Sequence, residues 1–392
     1  MKSLLAVAAF GVLIAVSSVT GAQEFDFGNP NLDQAPKKEA KSDLPIGSVG
    51  GLNFGVLFDV RYMRVGSNAP GTVVHVDELN VTGNIGDNIS ILAEQLLPTS
   101  SLSGVEDQIG DDHGFVYGIF SSLPLLPQGT AFKIGRFRFK WGIDAVLDAP
   151  ANPIYPLTRK NLGFISDRGL ELSGFVGPVD YTIGLADGPN YVEQTLRDSA
   201  NNEIGMVNRS VVNNSMPLIA RLSSKLSGSK VGLSYFDGRS WAYSNFLGYM
   251  PNSPRRARHP GGMADRSKLV YRQHAAADYS VRFGKFDLAL EYSQGLDQDS
   301  SVNAQYRTRG YFSRVDYTIT PQKLVCQIQY DQYSDGQPNS NDEKSISAGL
   351  QLFIHDQAFI RVGYMYNHLG LSSSDPVGMI EDVGFMQFYL PL

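Results

Sequence analysis

The sequence predicts a transmembrane β-barrel of 16 antiparallel strands. Three observations lead to this fold: short segments of alternating apolar and polar residues fill the chain from Leu52 to Leu392, their number is even, and tight turns alternate with long polar loops between them. Successive side chains of a strand point to opposite faces, so each segment has one apolar and one polar face. A closed barrel in an outer membrane needs such strands, with short turns at one end and long loops at the other.

The composition agrees with this fold class and excludes several others. The chain has 392 residues, of which 42% are hydrophobic, and its mean hydropathy is −0.15. This apolar fraction is too high for a disordered chain, and this hydropathy is too low for a bundle of membrane helices. A single Cys excludes an internal disulfide, and the net charge of −6 gives no reason to expect a nucleic-acid partner.

The first 22 residues have the features of a cleaved secretory signal peptide. Lys2 gives a basic start, an apolar run extends from Leu4 to Val16, and small residues at Gly21 and Ala22 suit a signal peptidase. The run is too short for a spanning helix, which needs roughly 20 apolar residues. We therefore assign 1–22 to a signal peptide, 23–51 to a flexible periplasmic leader rich in Pro, Gly and charges, and 52–392 to the barrel.

The alternation defines the strands in order along the barrel. Phe286, Leu288 and Leu290, for example, alternate with Lys285 and Asp287. The predicted strands are 52–63, 73–83, 88–97, 113–123, 130–143, 167–176, 179–187, 216–226, 229–238, 272–283, 285–295, 308–319, 322–333, 344–354, 357–367 and 381–392.

The connections indicate which way the barrel faces. Tight connections such as Gly177-Pro178 and Ser227-Gly228 follow every even-numbered strand, and polar connections of roughly 10 to 33 residues follow every odd-numbered one. Because the first connection is long, the N-terminus is expected on the periplasmic side. All backbone groups that face lipid must be paired, so the sheet is expected to close.

Residues 134–142, in which Arg136, Arg138 and Lys140 alternate with Phe137 and Phe139, are followed by related short motifs at 166–174 and 181–188. Taken together and in this order, these segments resemble the phosphate-selective porin O and porin P family of Gram-negative outer membranes, across most of residues 52–392. The resemblance implies a homotrimeric channel for passive diffusion of small hydrophilic solutes, phosphate among them. The chain departs from the family at its C-terminus, where Leu392 replaces the usual aromatic residue.

If the apolar face meets lipid, the polar face lines the lumen and carries more cations than acids. The basic candidates are Arg61, Arg136, Arg138, Lys140, Arg221, Lys225, Arg272, Arg282, Lys285, Arg314, Lys323 and Arg361. The acidic candidates are Asp59, Glu171, Asp278, Asp287, Glu291, Asp316 and Asp331. Because lumen cations lower the electrostatic barrier to anions, this excess predicts a weak preference for small anions.

Two interpretations of these cations stay open. Arg136, Arg138 and Lys140 lie on one predicted face at intervals of two residues, so they could form an anion-binding ladder about 6.6 Å apart. Alternatively, the lumen cations pair with the acids on neighbouring strands and only hold the wall in shape.

Two predicted external loops carry further candidates. The connection from Arg239 to Lys268 could form a constriction or an anion funnel at the mouth, or could be a solvated loop that touches lipopolysaccharide. The third external loop, Asp144 to Ile165, occupies the position at which porins often fold a constriction inward. The basic cluster of the first of these loops is Arg255, Arg256, Arg258 and Arg266.

Motifs for catalysis or metal binding are missing from the sequence. The six His residues show no metal-binding spacing, and there is no P-loop, dinucleotide fingerprint or nucleophile elbow. We therefore expect no enzymatic activity, no cofactor and no bound metal. Two other functions stay open: a sleeve around a periplasmic multihaem cytochrome, whose haem would belong to the partner because this chain has no CxxCH site, and a soluble exported β-protein that binds a ligand.

Overall fold

A computed structural model describes the chain over most of the predicted barrel. The described residues are 47–49, 52–65, 71–85, 88–96, 115–121, 129–143, 166–188, 191–197, 203–210, 216–243, 264–299, 304–334, 336, 343–355, 358–369 and 379–391. The predicted signal peptide and most of the predicted leader lie outside them. Among the described residues, no helix is long and apolar enough to cross a membrane.

Nineteen β-strands make up the described structure. They are β1 (Gly47–Val49), β2 (Leu52–Val65), β3 (Gly71–Ile85), β4 (Ile89–Leu96), β5 (Phe115–Ser121), β6 (Ala131–Arg138), β7 (Ser166–Val176), β8 (Val179–Ala186), β9 (Tyr191–Arg197), β10 (Glu203–Ser210), β11 (Leu218–Leu226), β12 (Ser229–Tyr243), β13 (Ala264–Phe283), β14 (Phe286–Asp299), β15 (Ala304–Thr320), β16 (Leu324–Ser334), β17 (Glu343–Phe353), β18 (Phe359–Leu369) and β19 (Met379–Pro391).

Sixteen of these strands form one closed antiparallel ring. From β2 to β8 and from β11 to β19 each strand pairs with the next in the chain, and β8 pairs with β11. The last strand returns to the first, with Phe388 of β19 opposite Val60 of β2. The predicted fold is therefore confirmed, and each predicted strand has its counterpart in the ring.

The remaining three strands, β1, β9 and β10, are not members of the ring. β9 and β10 pair with each other as a hairpin inside a predicted loop, and β1 pairs with the start of β2. Strand ends also differ from the prediction. β14 ends at Asp299 and β15 begins at Ala304, so the connection between them at 300–303 is much shorter than expected. These polar strand ends stay paired because a neighbouring strand satisfies their backbone groups.

The predicted tight turns, such as 177–178, 227–228 and 284–285, lie at one end of the barrel, called here the turn end. The predicted loops, including the shortened connection at 300–303, lie at the other, the loop end. At the turn between β11 and β12, Ser227 and Gly228 have φ values of 46° and 83°. Two successive residues with positive φ are typical of a type I′ turn, whose twist matches that of the flanking strands.

The outer face of the ring is apolar and exposed. Leu350, Val362 and Ile328 are each about half exposed, although they are large hydrophobic side chains. Aromatic rings border this apolar surface at both ends, as in the interfacial girdles of membrane barrels. The outward aromatic residues are Tyr235, Tyr292, Tyr311, Tyr364 and Tyr366 toward the loop end and Phe283, Phe286 and Tyr317 at the turn end.

Candidate functional site

The inner face of the ring has two chemically different regions. Inward side chains of β4, β5, β6, β8, β11 and β12 and Ala276 of β13 contribute an apolar cluster, whereas most other inward side chains of β13 to β17 are ions, amides and hydroxyls. The apolar cluster consists of Leu92, Tyr117, Ile119, Phe137, Phe139, Trp141, Ala186, Ile219, Phe236 and Ala276.

Residues 139–143, called here the inward segment, leave the wall after β6 and enter the lumen. The Phe139 ring lies on the inner face of β7 and β8, against Gly169 and Gly184. A Cβ at Gly169 would lie 2.7 Å from this ring, and one at Gly184 would lie 2.5 Å from it. Glycine at these two positions therefore makes the recess that receives Phe139.

Two successive backbone amides fix the far end of the inward segment. Gly142 N donates to Ser234 Oγ of β12 at 3.0 Å, and Ile143 N donates to Glu291 Oε2 of β14 at 2.8 Å. Since β12 and β14 stand four and six strands from β6 around the ring, the segment crosses part of the lumen. Gly142 has a φ of 56°, and a Cβ there would lie 2.2 Å from Glu291 Oε2, so the close approach requires glycine.

Side-chain packing supports this path. Phe137 and Phe139 have ring centroids 4.6 Å apart, and Tyr117 meets Phe137 edge to face at 5.9 Å. At the other end, Ile143 packs with inward residues of β14 and β15. The inward segment is therefore held by apolar contacts at both ends and by two backbone hydrogen bonds at its far end.

A buried ion pair is joined to this anchor. Arg221 of β11 donates from Nη1 and Nη2 to the two carboxylate oxygens of Asp278 of β13, at 2.5 and 2.9 Å. Arg221 Nη1 also donates to Ser234 Oγ, the same oxygen that accepts from Gly142. Arg221 thus neutralises Asp278 and helps to hold the inward segment.

Four other lumen cations with described side chains also have an acidic neighbour. Their distances are 3.3 Å for Arg272–Asp297, 3.5 Å for Arg282–Asp287, 3.1 Å for Arg314–Asp316 and 3.7 Å for Lys133–Glu171. Arg361 instead donates to Gln351 Oε1 and lies over the Phe359 ring, 5.0 Å from its centroid. This arrangement favours the interpretation in which these arginines hold the wall in shape.

Two lysines at the turn end of the lumen and Lys140 of the inward segment, together called here the lysine group, form a different environment. Lys225 of β11 and Lys230 of β12 are directly opposite each other, and both are exposed. Lys230 lies within electrostatic range of Lys140, the third member, and of Arg221, Asp278 and Asp180. Lys230 therefore lies in a mixed environment, with Lys225 opposite it and two further cations and two carboxylates in range. Sequence reasoning missed Lys230, which lies next to a turn.

The predicted lumen position of Arg136 is wrong. Arg136 pairs across the strands with Val116, which is 64% exposed on the outer face, whereas Phe137 points inward and is 0% exposed. The expected alternation is thus reversed on β6, because the inner face here packs against the inward segment. Lys133, which the sequence reading did not include, points inward toward Glu171.

The remaining predicted residues are distributed as follows. Lys285 and Lys323 lie in turns and are exposed, and Lys140 follows β6 instead of continuing it. Arg266 lies within β13, so the predicted mouth loop is shorter than expected. Outside the described part of the structure lie the side chains of Arg61, Asp59 and Arg138. The same is true of Arg255, Arg256 and Arg258 and of the whole predicted loop 144–165.

Among the side chains that the structure describes, His, Cys, Asp and Glu are those that could build a metal centre. Within that part of the chain, no group of three or more His, Cys, Asp and Glu residues is arranged to hold a metal ion. The nearest approach to such a group is the contact of His274 Nε2 with Asp297 Oδ1 at 2.5 Å, where Arg272 supplies the second partner of the carboxylate.

Solved structures with the same fold are outer-membrane proteins. The anion-selective porin from Comamonas acidovorans has a TM-score of 0.54 at 10% identity, covering 86% of this chain and 99% of that one. The trimer form of OmpT, an outer membrane protein of Vibrio cholerae, gives 0.54 at 9%, with coverages of 86% and 99%. The outer membrane channel DcaP of Acinetobacter baumannii gives 0.53 at 9%, with coverages of 88% and 99%.

No protein-family model matches the sequence, and no curated protein matches it either. The likeness to the solved structures is therefore one of fold, that of the porin-type barrel of 16 strands.

Proposed function

We propose that this protein is a channel in the outer membrane of a Gram-negative bacterium, through which small hydrophilic solutes diffuse passively. The observation that carries the proposal is the inward segment: a closed barrel with an apolar outer face is narrowed from within by residues 139–143, anchored to Ser234 and Glu291. Such a narrowing sets the size and charge of solutes that pass. The similar folds of the Comamonas and Acinetobacter proteins support this assignment.

The weak preference for small anions is assigned to the lysine group. The lumen arginines lie beside carboxylates or an amide, which cancel much of their field. Lys225 and Lys230 lie directly opposite each other on neighbouring strands at the turn end, which places two like charges side by side. Like charges in a low-dielectric wall project a field into the pore, so anions, phosphate included, are favoured there. The resemblance to phosphate-selective porins suits a homotrimer. The predicted signal peptide suits export to the outer membrane.

The test is the reversal potential of the purified protein in a planar bilayer across a KCl gradient, repeated with phosphate. We expect anion selectivity in the wild type and its loss in Lys225→Gln/Lys230→Gln. The matched control is Arg307→Gln/Arg309→Gln, which removes the same charge from outward-facing side chains and should keep the wild-type value. Equal selectivity in both variants contradicts the role of the lysines, and no conductance from a folded barrel contradicts the channel.

The cytochrome sleeve is less well supported. The inward segment packs against β7, β8, β12 and β14 and so occupies lumen space that an enclosed cytochrome would need. Haem absorbance that co-purifies with the barrel would favour the sleeve over the channel.

A further inference from the structure

The outward-facing cations on the described parts of the strands lie toward the loop end. Among the outward-facing side chains of the strands that the structure describes, every charged group is toward the loop end, whereas Lys285 and Lys323 are exposed in turns of the turn end. Two of the charged groups toward the loop end are carboxylates, Asp187 and Asp237. The six cations, called here the cationic collar, are Arg136, Arg168, Arg239, Arg307, Arg309 and Lys344.

On β15 the collar begins directly beyond the aromatic girdle. Tyr311 lies opposite Tyr292, and the next two outward side chains toward the loop end are Arg309 and Arg307. Residues two apart on one face are separated by about 6.8 Å, so the arginines follow the tyrosine in regular steps. Lys344 of β17 is level with Tyr311, since Gln332 of β16 pairs with both.

A second sector repeats this order on β12. Tyr235 is followed on the same face by Asp237 and then by Arg239. Asp237 accepts hydrogen bonds from Tyr235 at 3.0 Å and from Tyr271, so the carboxylate belongs to the tyrosine girdle. The cation again lies on the loop side of the aromatic ring.

The third sector lies on β6 and β7. Arg136 and Arg168 are directly opposite each other. They are the next outward-facing pair toward the loop end after the apolar pair Ile134 and Leu170. Arg168 also contacts Asp187 at 2.8 Å. In all three sectors, therefore, cations lie where the apolar surface of the barrel ends.

The tyrosine girdle marks the level of the lipid headgroups. Cations just beyond it meet those headgroups, and guanidinium groups bind phosphate through paired, charge-assisted hydrogen bonds. Six cations against two carboxylates leave an excess of four positive charges at this level. At the turn end the described outward strand positions carry no charge, and the exposed turn cations are Lys285 and Lys323. The larger excess of cations at the loop end suits a membrane whose outer leaflet is the more strongly phosphorylated.

We propose that the cationic collar binds phosphate groups of lipopolysaccharide in the outer leaflet. This proposal rests on the outer-membrane placement in the proposed function and adds a lipid site on the outside of the barrel. It requires no particular solute, because the collar does not face the lumen.

The experiment measures binding of purified lipopolysaccharide to the detergent-solubilised protein by native mass spectrometry. Arg307→Gln/Arg309→Gln/Lys344→Gln is compared with Lys140→Gln/Lys225→Gln/Lys230→Gln, which removes the same charge from the lysine group. We expect the wild type and the lysine-group variant to bind alike, and the collar variant to bind about tenfold more weakly, because three charge-assisted contacts are lost. Dephosphorylated lipopolysaccharide should bind the wild type as weakly as intact lipopolysaccharide binds the collar variant.

Equal binding by the collar variant, or equal binding of dephosphorylated lipopolysaccharide, overturns the proposal. Anionic phospholipid that competes equally well shows a general lipid contact and overturns it too. Bilayer conductance of the collar variant keeps the two proposals apart: lost lipopolysaccharide binding with normal conductance supports the collar alone, and a barrel that binds lipopolysaccharide but never conducts contradicts only the channel.

Discussion

The inward side chains of the barrel are packed differently in two regions of the inner face. Around β4 to β8 the wall is apolar and is covered by Phe139 and Trp141 of the inward segment. Around β13 to β16 the wall carries ions and amides that bond to one another, as Gln327 does to Asp316 at 3.0 Å. The comparison shows two ways to fill an inner face: aromatic side chains of the inward segment cover one part, and hydrogen bonds and ion pairs among the wall's own side chains satisfy the other.

The apolar region should give the largest loss of stability on substitution. Phe139→Ala removes a fully buried ring from the recess formed by Gly169 and Gly184, and leaves a cavity, so we expect about 3–5 kcal/mol of destabilisation. Urea unfolding in detergent micelles measures it. Phe286→Ala is the control, because this ring is 49% exposed on the outer face, and a loss as large there would contradict the contrast between the regions.

The ionic region should respond strongly to removal of one partner only. Asp278→Asn leaves the buried Arg221 without its carboxylate, and we expect destabilisation of about 3 kcal/mol. Arg221→Met/Asp278→Leu removes both charges and should recover part of this loss. The same unfolding assay compares the variants, and a double variant less stable than the single one would argue against charge burial as the cause.

The sequence predicted the ring well and the inner face poorly, for a physical reason. Alternation of side chains fixes which residues share a face, and all the barrel strands followed from it. It does not say which face is inside, and the usual assumption that the apolar face meets lipid fails on β6, where Phe137 points inward and Arg136 outward. Contacts such as Arg221–Asp278 join strands two apart in the ring, and Glu291 meets Ile143 across it, so no local pattern encodes them.

One signal for the inward segment was present. Gly169 and Gly184 interrupt strands whose other inward positions carry side chains, and a glycine within a strand often marks close approach of another group. The group that approaches, Phe139, could not be identified without the structure.

The junction between the two regions is the anchor at Gly142. Gly142→Ala should cost about 2 kcal/mol, because the residue has left-handed backbone geometry and its Cβ would displace the Glu291 carboxylate. Release of the inward segment should also raise single-channel conductance. Gly177→Ala is the matched control, since Gly177 has a φ of 60° and no atom near its Cβ position. Unchanged conductance in Gly142→Ala, or an equal increase in Gly177→Ala, would show that the inward segment does not limit conductance.

The smallest effect is expected for an ion pair on the outer face, which contrasts with Arg221–Asp278 inside. Arg168 and Asp187 are 2.8 Å apart, but their side chains are 59% and 54% exposed. Water screens such a pair, so Arg168→Gln should change stability by less than about 1 kcal/mol, and any change should vanish at high salt. Unfolding measured at low and high salt tests this. A loss comparable to that of Asp278→Asn would show that location inside the barrel does not determine the strength of these pairs.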